Sequence, residues 1–139
     1  MNKPLLLSCT IKDVVFGMNV KVVEPVNIYG CTIGDGCFIG PFTEIQKNVT
    51  IGEQTKVQSH AFICEMVSIG DDCFIGHGVV FINDVFASGS PARGDKAKWK
   101  PTIIGNHVSI GSNATILPVN ICDNVVIGAG SVVTKSIIK

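Results

Sequence analysis

A large aliphatic or aromatic residue recurs every six positions through most of the chain. It runs from Ile33 through Ile39, Ile45, Ile51, Val57, Ile63, Ile69 and Ile75 to Phe81, then Ile104, Ile110 and Ile116, then Ile121, Ile127 and Val133. Toward the N-terminus the beat continues through Ile28, Val22, Phe16 and Ile11. Three steps take five residues: Ile11 to Phe16, Ile28 to Ile33, and Ile116 to Ile121. An amphipathic helix repeats at about 3.6 residues, so this period excludes one. The residue two places before each beat position is small or β-branched, as at Cys9, Val14, Cys31, Cys37, Thr43, Thr55, Ala61, Cys73, Ala114 and Ser131. Residues two apart on a strand share a face. The pattern predicts 19 very short strands, each pointing one small and one large residue inward.

Glycine follows the beat residue at nine positions: Gly17, Gly34, Gly40, Gly52, Gly70, Gly76, Gly105, Gly111 and Gly128. A residue without a Cβ suits a sharp corner. Three strands and three corners close a triangular coil of about 18 residues, which buries its apolar face only by stacking on its neighbours. The expected fold is all-β: a parallel β-helix of about six triangular coils, with residues 1–139 as one domain. Burial of each beat residue contributes roughly 1.5–3 kcal/mol, which offsets the ordering of a short chain. Open ends and flat outer faces invite homo-oligomerisation.

The beat stops between Asn83 and Pro101, where DVFASGSPARGDKAKWKP is rich in Gly, Pro, Ser and charge. An insertion in a repeat fold projects from one face, so residues 84–101 are expected to form an extended loop. Trp99, the only tryptophan, lies there among Lys96, Lys98 and Lys100, either packed on the coil or walling a substrate. Just before the loop the repeat is unusually polar, with His60, Glu65, His77, Asn83 and Asp84. His60 and His77 are 17 apart, and Glu65 and Asn83 are 18 apart, about one coil each. These four groups are expected to cluster at one edge near the loop root.

Composition narrows the chemistry. The formal net charge is zero and no basic stripe is present, which argues against nucleic acid as a partner. No 18-residue apolar run occurs, and Met1 to Leu7 is too short for a signal-peptide core, so a cytoplasmic protein without a membrane span is expected. Cys9, Cys31, Cys37 and Cys73 fall in the small inward slot, and Cys64 and Cys122 fall where glycine usually stands. Cysteine then acts as a small hydrophobe, and no CxxC pair suggests a metal.

The stretch NIYGCTIGDGCFIGPFTEIQKNVTIGEQTKVQSHAFICEMVSIGDDCFIGHGVVFIND, with PTIIGNHVSIGSNATILP and IGAGSVVTK after the loop, resembles the hexapeptide-repeat acyltransferases. The resemblance covers nearly the whole chain, from Ile11 to Ile137. The YGC, SHAFICE and GHGVVFIND segments are most similar to N-acetyltransferases of nucleotide-linked amino sugars, such as 3-amino-dideoxyhexoses and 3-amino-glucuronate. It implies a left-handed coil, a homotrimer with sites between subunits, acetyl-CoA as co-substrate and no metal. It further implies coenzyme A contacts near Gly111, Ser112 and Ala129, with Lys135 meeting a phosphate. The amino sugar would sit near His60, Glu65, His77 and Asn83, with Asp84 and Trp99 beside it. His77 is the first choice as base or orienter of the amine, Asn83 and Glu65 position it, and an N–H at Gly76 or Gly78 stabilises the oxyanion. The implied setting is surface-polysaccharide biosynthesis. SGSPARGDKAKWK is shorter and differently charged than the loops of relatives, which leaves the sugar and nucleotide open.

Three other readings remain open. An O-acyltransferase would use a histidine base held by a carboxylate. A zinc hydratase resembling the γ-type carbonic anhydrases would need His60, His77 and His107 together. A scaffold without activity would bind no coenzyme A.

Overall fold

The computed structural model describes residues 2–7 and 10–139; Cys9 lies outside them. All 19 beat residues fall in strands of two or three residues. The strands stack in parallel into three sheets, of seven, six and six strands. This is the left-handed parallel β-helix expected from the repeat, with six complete coils and the first strand of a seventh. Register follows the beat: Ile33 pairs with Ile51, Ile39 with Val57 and Ile75 with Ile110. Beat residues from Ile28 to Ile121 are at most 3% exposed. Phe16, in the first coil, is 38% exposed because no coil stacks beneath it. No helix among the described residues is long and apolar enough to cross a membrane.

The three edges of the prism differ. Glycine follows the beat residue only where the second sheet turns into the third (Gly17, Gly34, Gly52, Gly70, Gly105) and where the third turns into the first (Gly40, Gly76, Gly111, Gly128). We call the former the Asx edge and the latter the histidine edge. The cause is close approach of the next coil. A Cβ on Gly76 would lie 2.7 Å from Ile110 O and 2.8 Å from Ser112 N; one on Gly111 would lie 2.5 Å from Ala129 N. The left-handed residue comes two places later, at Asn19, Gln54, Asp72, His107 and Asn124 on the Asx edge and at Phe42, His60, Gly78, Asn113 and Gly130 on the histidine edge.

The remaining edge, from the first sheet to the second, carries Tyr29, Gln46, Cys64, Ile82 and Leu117 where the others carry glycine. All three five-residue steps occur there, and so does the insertion between Phe81 and Thr102. This is the loop edge. The insertion contains one turn of 3-10 helix, Lys96–Lys98, capped by Asp95.

The inward cysteines share a column with threonines. Cys37 Sγ donates to Gly52 O (2.9 Å) and Cys73 Sγ to Gly105 O (3.1 Å), as Thr55 Oγ1 donates to Gly70 O (2.9 Å). Each satisfies a corner carbonyl of the next coil. Burial pushes the Cys31 thiol up to about 11 and the Cys64 thiol up to about 12.

Candidate active site

On the Asx edge the residue after each glycine is mostly Asp or Asn, and its side chain is spent on the backbone. Asp35 Oδ1 accepts Met18 N–H (2.8 Å), Asp71 Oδ1 accepts Glu53 N–H (2.7 Å), Asn106 Oδ1 accepts Asp71 N–H (2.8 Å), and Asp123 Oδ1 accepts Asn106 N–H (2.7 Å). The ladder occupies four of the corner N–H groups of this edge, those of Met18, Glu53, Asp71 and Asn106, with the protein's own oxygens.

The same positions on the histidine edge are Glu24, Pro41, Ser59, His77, Ser112 and Ala129. From Ser59 onward none is acidic or an amide, and no oxygen among the described residues accepts their N–H groups. Their carbonyls are used: Ser59 O accepts Gly78 N–H (3.1 Å), His77 O accepts Asn113 N–H (2.8 Å) and Ser112 O accepts Gly130 N–H (2.9 Å). One coil follows another at roughly 4.8 Å. The result is a row of outward backbone donors, with the exposed His77 imidazole in the middle. Beyond His77 the row is lined by small residues, Ser112 and Ala129, so an extended ligand can approach the backbone.

Of the expected coenzyme A contacts, Gly76, Gly78, Gly111, Ser112 and Ala129 share this edge with His77. Lys135 does not; it lies past the Val132–Val133 strand, on the loop edge. The oxyanion assignment needs correction. Gly76 N–H already donates to Ile110 O (2.8 Å) and Gly78 N–H to Ser59 O. The free donors are on His77 and Ser112.

The expected cluster of four polar groups is split. His60 and His77 lie on the histidine edge, Glu65 and Asn83 on the loop edge. The strand Val80–Phe81 separates His77 from Asn83, roughly 15–20 Å at about 3.3 Å per residue. Glu65 and Asn83 do stack, with Asn83 Nδ2 donating to Glu65 O (3.1 Å). A count of residues gives the coil but not the edge, and that is why the four seemed neighbours. His60 also has a structural role: it holds a left-handed corner (φ 65°) and stacks on Phe42 with centroids 5.1 Å apart. His107 sits on the Asx edge, 3.6 Å from Asp72, so one protomer does not bring the three histidines together.

At the loop edge the insertion is tied down. Asp84 accepts Phe86 N–H (3.0 Å) and Ala92 N–H (2.7 Å), so both its oxygens staple the loop. Lys100 N–H donates to Asn83 O (3.0 Å), and Lys96 Nζ reaches Glu65 Oε1 at 2.9 Å and lies 5.7 Å from the Trp99 ring centroid. Glu65 N–H is held by Gln46, whose amide also donates to Glu44 (2.8 Å). Burial, then the charges of Glu44 and Glu65, push the Tyr29 hydroxyl above its usual pKa. Beside this network a cleft of about 450 Å³ is lined by Phe62, Val80, Asn83, Phe86 and Trp99.

Comparison with known proteins supplies the wider context. Two repeat families match the chain: the hexapeptide repeat of succinyl-transferase over residues 66–82 and 101–135, and the bacterial transferase hexapeptide over residues 30–65. The chain is 34% identical over 138 residues to the bifunctional protein GlmU of Acidithiobacillus ferrooxidans, covering 91% of this chain and 30% of that one. It is 39% identical over 106 residues to GlmU of Clostridium botulinum, covering 76% and 21%. The chain thus spans less than a third of these curated relatives. Among solved structures it resembles AntD, an N-acyltransferase from Bacillus cereus in complex with dTDP and coenzyme A, with TM-score 0.68, 20% identity and coverage of 90% and 75%. It also resembles perosamine N-acetyltransferase from Caulobacter crescentus, in complex with coenzyme A and GDP-perosamine, with TM-score 0.64, 17% identity and coverage of 89% and 50%. At those identities the two structures establish a shared fold.

Proposed function

The chain belongs to the hexapeptide-repeat transferases, and on that premise we propose that it transfers an acetyl group from acetyl-CoA to the amine of a nucleotide-linked amino sugar. The observation that carries this reading is the run of unused N–H donors at Ser59, His77, Ser112 and Ala129 on the histidine edge, where the Asx edge bonds four of its own. Amide and thioester carbonyls of an acyl-CoA arm are acceptors spaced along an extended chain. They match donors spaced along a stack of coils. The arm runs past Ala129 and Ser112 toward His77.

The unprotonated amine attacks the thioester carbonyl, a C–N bond forms and the C–S bond breaks. The free N–H of His77 or Ser112 stabilises the oxyanion. The His77 imidazole takes the proton lost by the nitrogen and returns it to the departing thiolate. Holding the amine near the carbonyl supplies a large part of the rate.

The reading includes a cytoplasmic homotrimer. Asn83, Glu65 and Trp99 are too far from His77 of their own protomer, so they serve the reaction only if a neighbour presents its loop edge to this histidine edge. Thiol release from acetyl-CoA, measured against a panel of nucleotide-linked 3-amino and 4-amino sugars, tests the chemistry. Turnover dependent on one amino sugar supports it; coenzyme A binding without turnover on any amine sinks it. A sedimentation mass of one protomer would sink the trimer.

A further inference from the structure

The N-terminal half of the histidine edge is unlike the half that accepts the acyl arm. In place of Gly78, Asn113 and Gly130, the left-handed corners of the two preceding coils carry Phe42 and His60. Every one of these corners is left-handed; what sets Phe42 apart is a bulky ring where later coils of this edge carry Gly78, Asn113 and Gly130. Phe42 (φ 61°) is 59% exposed, and one face of its ring lies on His60 with an interplanar angle of 17°. Burial does not explain this aromatic step. It stands two coils from His77, roughly 10 Å at 4.8 Å per coil.

The two flanks of the step differ in charge. On the first-sheet side a groove of about 360 Å³ is lined by Pro25, Val26, Asn27, Phe42 and Glu44. Across the third sheet, from Asn19 and Gly36 at the Asx edge to Gln58 at the histidine edge, runs a groove of about 440 Å³ floored by Phe38, between Lys21 and Lys56 on the adjacent strands. The ion pairs among the described residues are Lys96–Glu65 and His107–Asp72, and neither includes Lys21 or Lys56. An aromatic platform with a groove carrying one amide and one carboxylate on one side and two cations on the other fits a planar base carrying phosphates.

We propose that this end of the histidine edge is the nucleotide subsite, with the base stacked on Phe42, its edge facing Asn27, and the phosphates over Lys56 and Lys21. It rests on the acceptor class proposed above and places the acceptor's nucleotide on the opposite side of His77 from the acyl arm. Stacking of a base on an aromatic side chain is sequence-tolerant, so Phe42 sets affinity, and Asn27 with Glu44 select among bases.

The test is calorimetric binding of UDP, dTDP and GDP, and separately of coenzyme A, to the full chain and its variants. At least one nucleoside diphosphate is expected to bind. Phe42→Ala should weaken it by roughly five- to a hundred-fold, while Phe42→Trp retains it. Lys56→Gln should weaken it several-fold and flatten its salt dependence. Coenzyme A affinity should be unchanged in all three. Nucleotide binding that is indifferent to Phe42→Ala, or coenzyme A binding with none of the three diphosphates, overturns the subsite and leaves acyl transfer standing. Loss of both ligands' binding in the wild-type chain overturns acyl transfer as well. If Phe42→Ala instead lowers the oligomer's mass, the step is a subunit contact and the proposal fails.

Discussion

The Asx edge and the histidine edge are built on one backbone. Both turn at glycines forced by the next coil, and both place a left-handed residue two positions later. They differ in the residue between. Asp35, Asp71, Asn106 and Asp123 accept the N–H groups of Met18, Glu53, Asp71 and Asn106 on one edge, while no described oxygen accepts those of Ser59, His77, Ser112 and Ala129 on the other. The lesson is that two edges of one repeat can differ in which corner N–H groups the chain bonds itself, and the edge that omits those bonds keeps donors for the proposed acyl donor.

The difference can be broken from either side. The largest expected effect is on turnover: His77→Ala should lower kcat by roughly 10²–10⁴-fold. Because His77 is exposed, its denaturation midpoint should stay put, and His107→Ala on the Asx edge should leave kcat unchanged. Gly111→Ala comes next, on stability. Its Cβ would lie 2.5 Å from Ala129 N, and overpacking of this kind costs about 1–3 kcal/mol, measured by urea unfolding. Asp71→Ala removes the acceptor of Glu53 N–H, so about 1 kcal/mol of stability should go with no change in activity. Lys96→Ala breaks an ion pair whose lysine is 56% exposed, and should cost under about 1 kcal/mol while loosening the loop.

A pH effect comes from the buried thiols, which belong to neither edge's chemistry. Folded Cys31 and Cys64 are held up to about 11 and about 12 against an ordinary 9.0. A raised folded pKa means the unfolded chain ionises first. Their contribution to stability is whole below pH 9 and is lost progressively up to about pH 12. Unfolding midpoints that stay flat from pH 9 to 11 would contradict this.

Much of this was legible in the residues. The six-residue beat located every strand, the coil length and the insertion, because a period constrains all residues at once. The small inward column placed Cys31, Cys37 and Cys73 in the core. What the sequence did not yield was the edge to which a polar residue belongs. Glu65 and Asn83 stack as their spacing says, yet His77 stands at the far end of the strand. The signal was present in the positions of glycine. The corners after Ile63 and Phe81 carry Cys64 and Ile82 rather than glycine, which marks a third kind of edge. The aspartates of the Asx edge are not legible in the sequence, because a polar residue on a solvent-exposed corner carries no signal without its partner N–H.

One substitution tests the central claim directly. Ser112→Asn gives the histidine edge the oxygen that Asn106 gives the Asx edge, placed to accept His77 N–H. Coenzyme A binding should fall at least about ten-fold, a loss of about 1.4 kcal/mol, while stability holds or rises by up to about 1 kcal/mol. A folded Ser112→Asn protein that binds coenzyme A like the wild type would show that the open amides of this edge are not where the acyl donor lies.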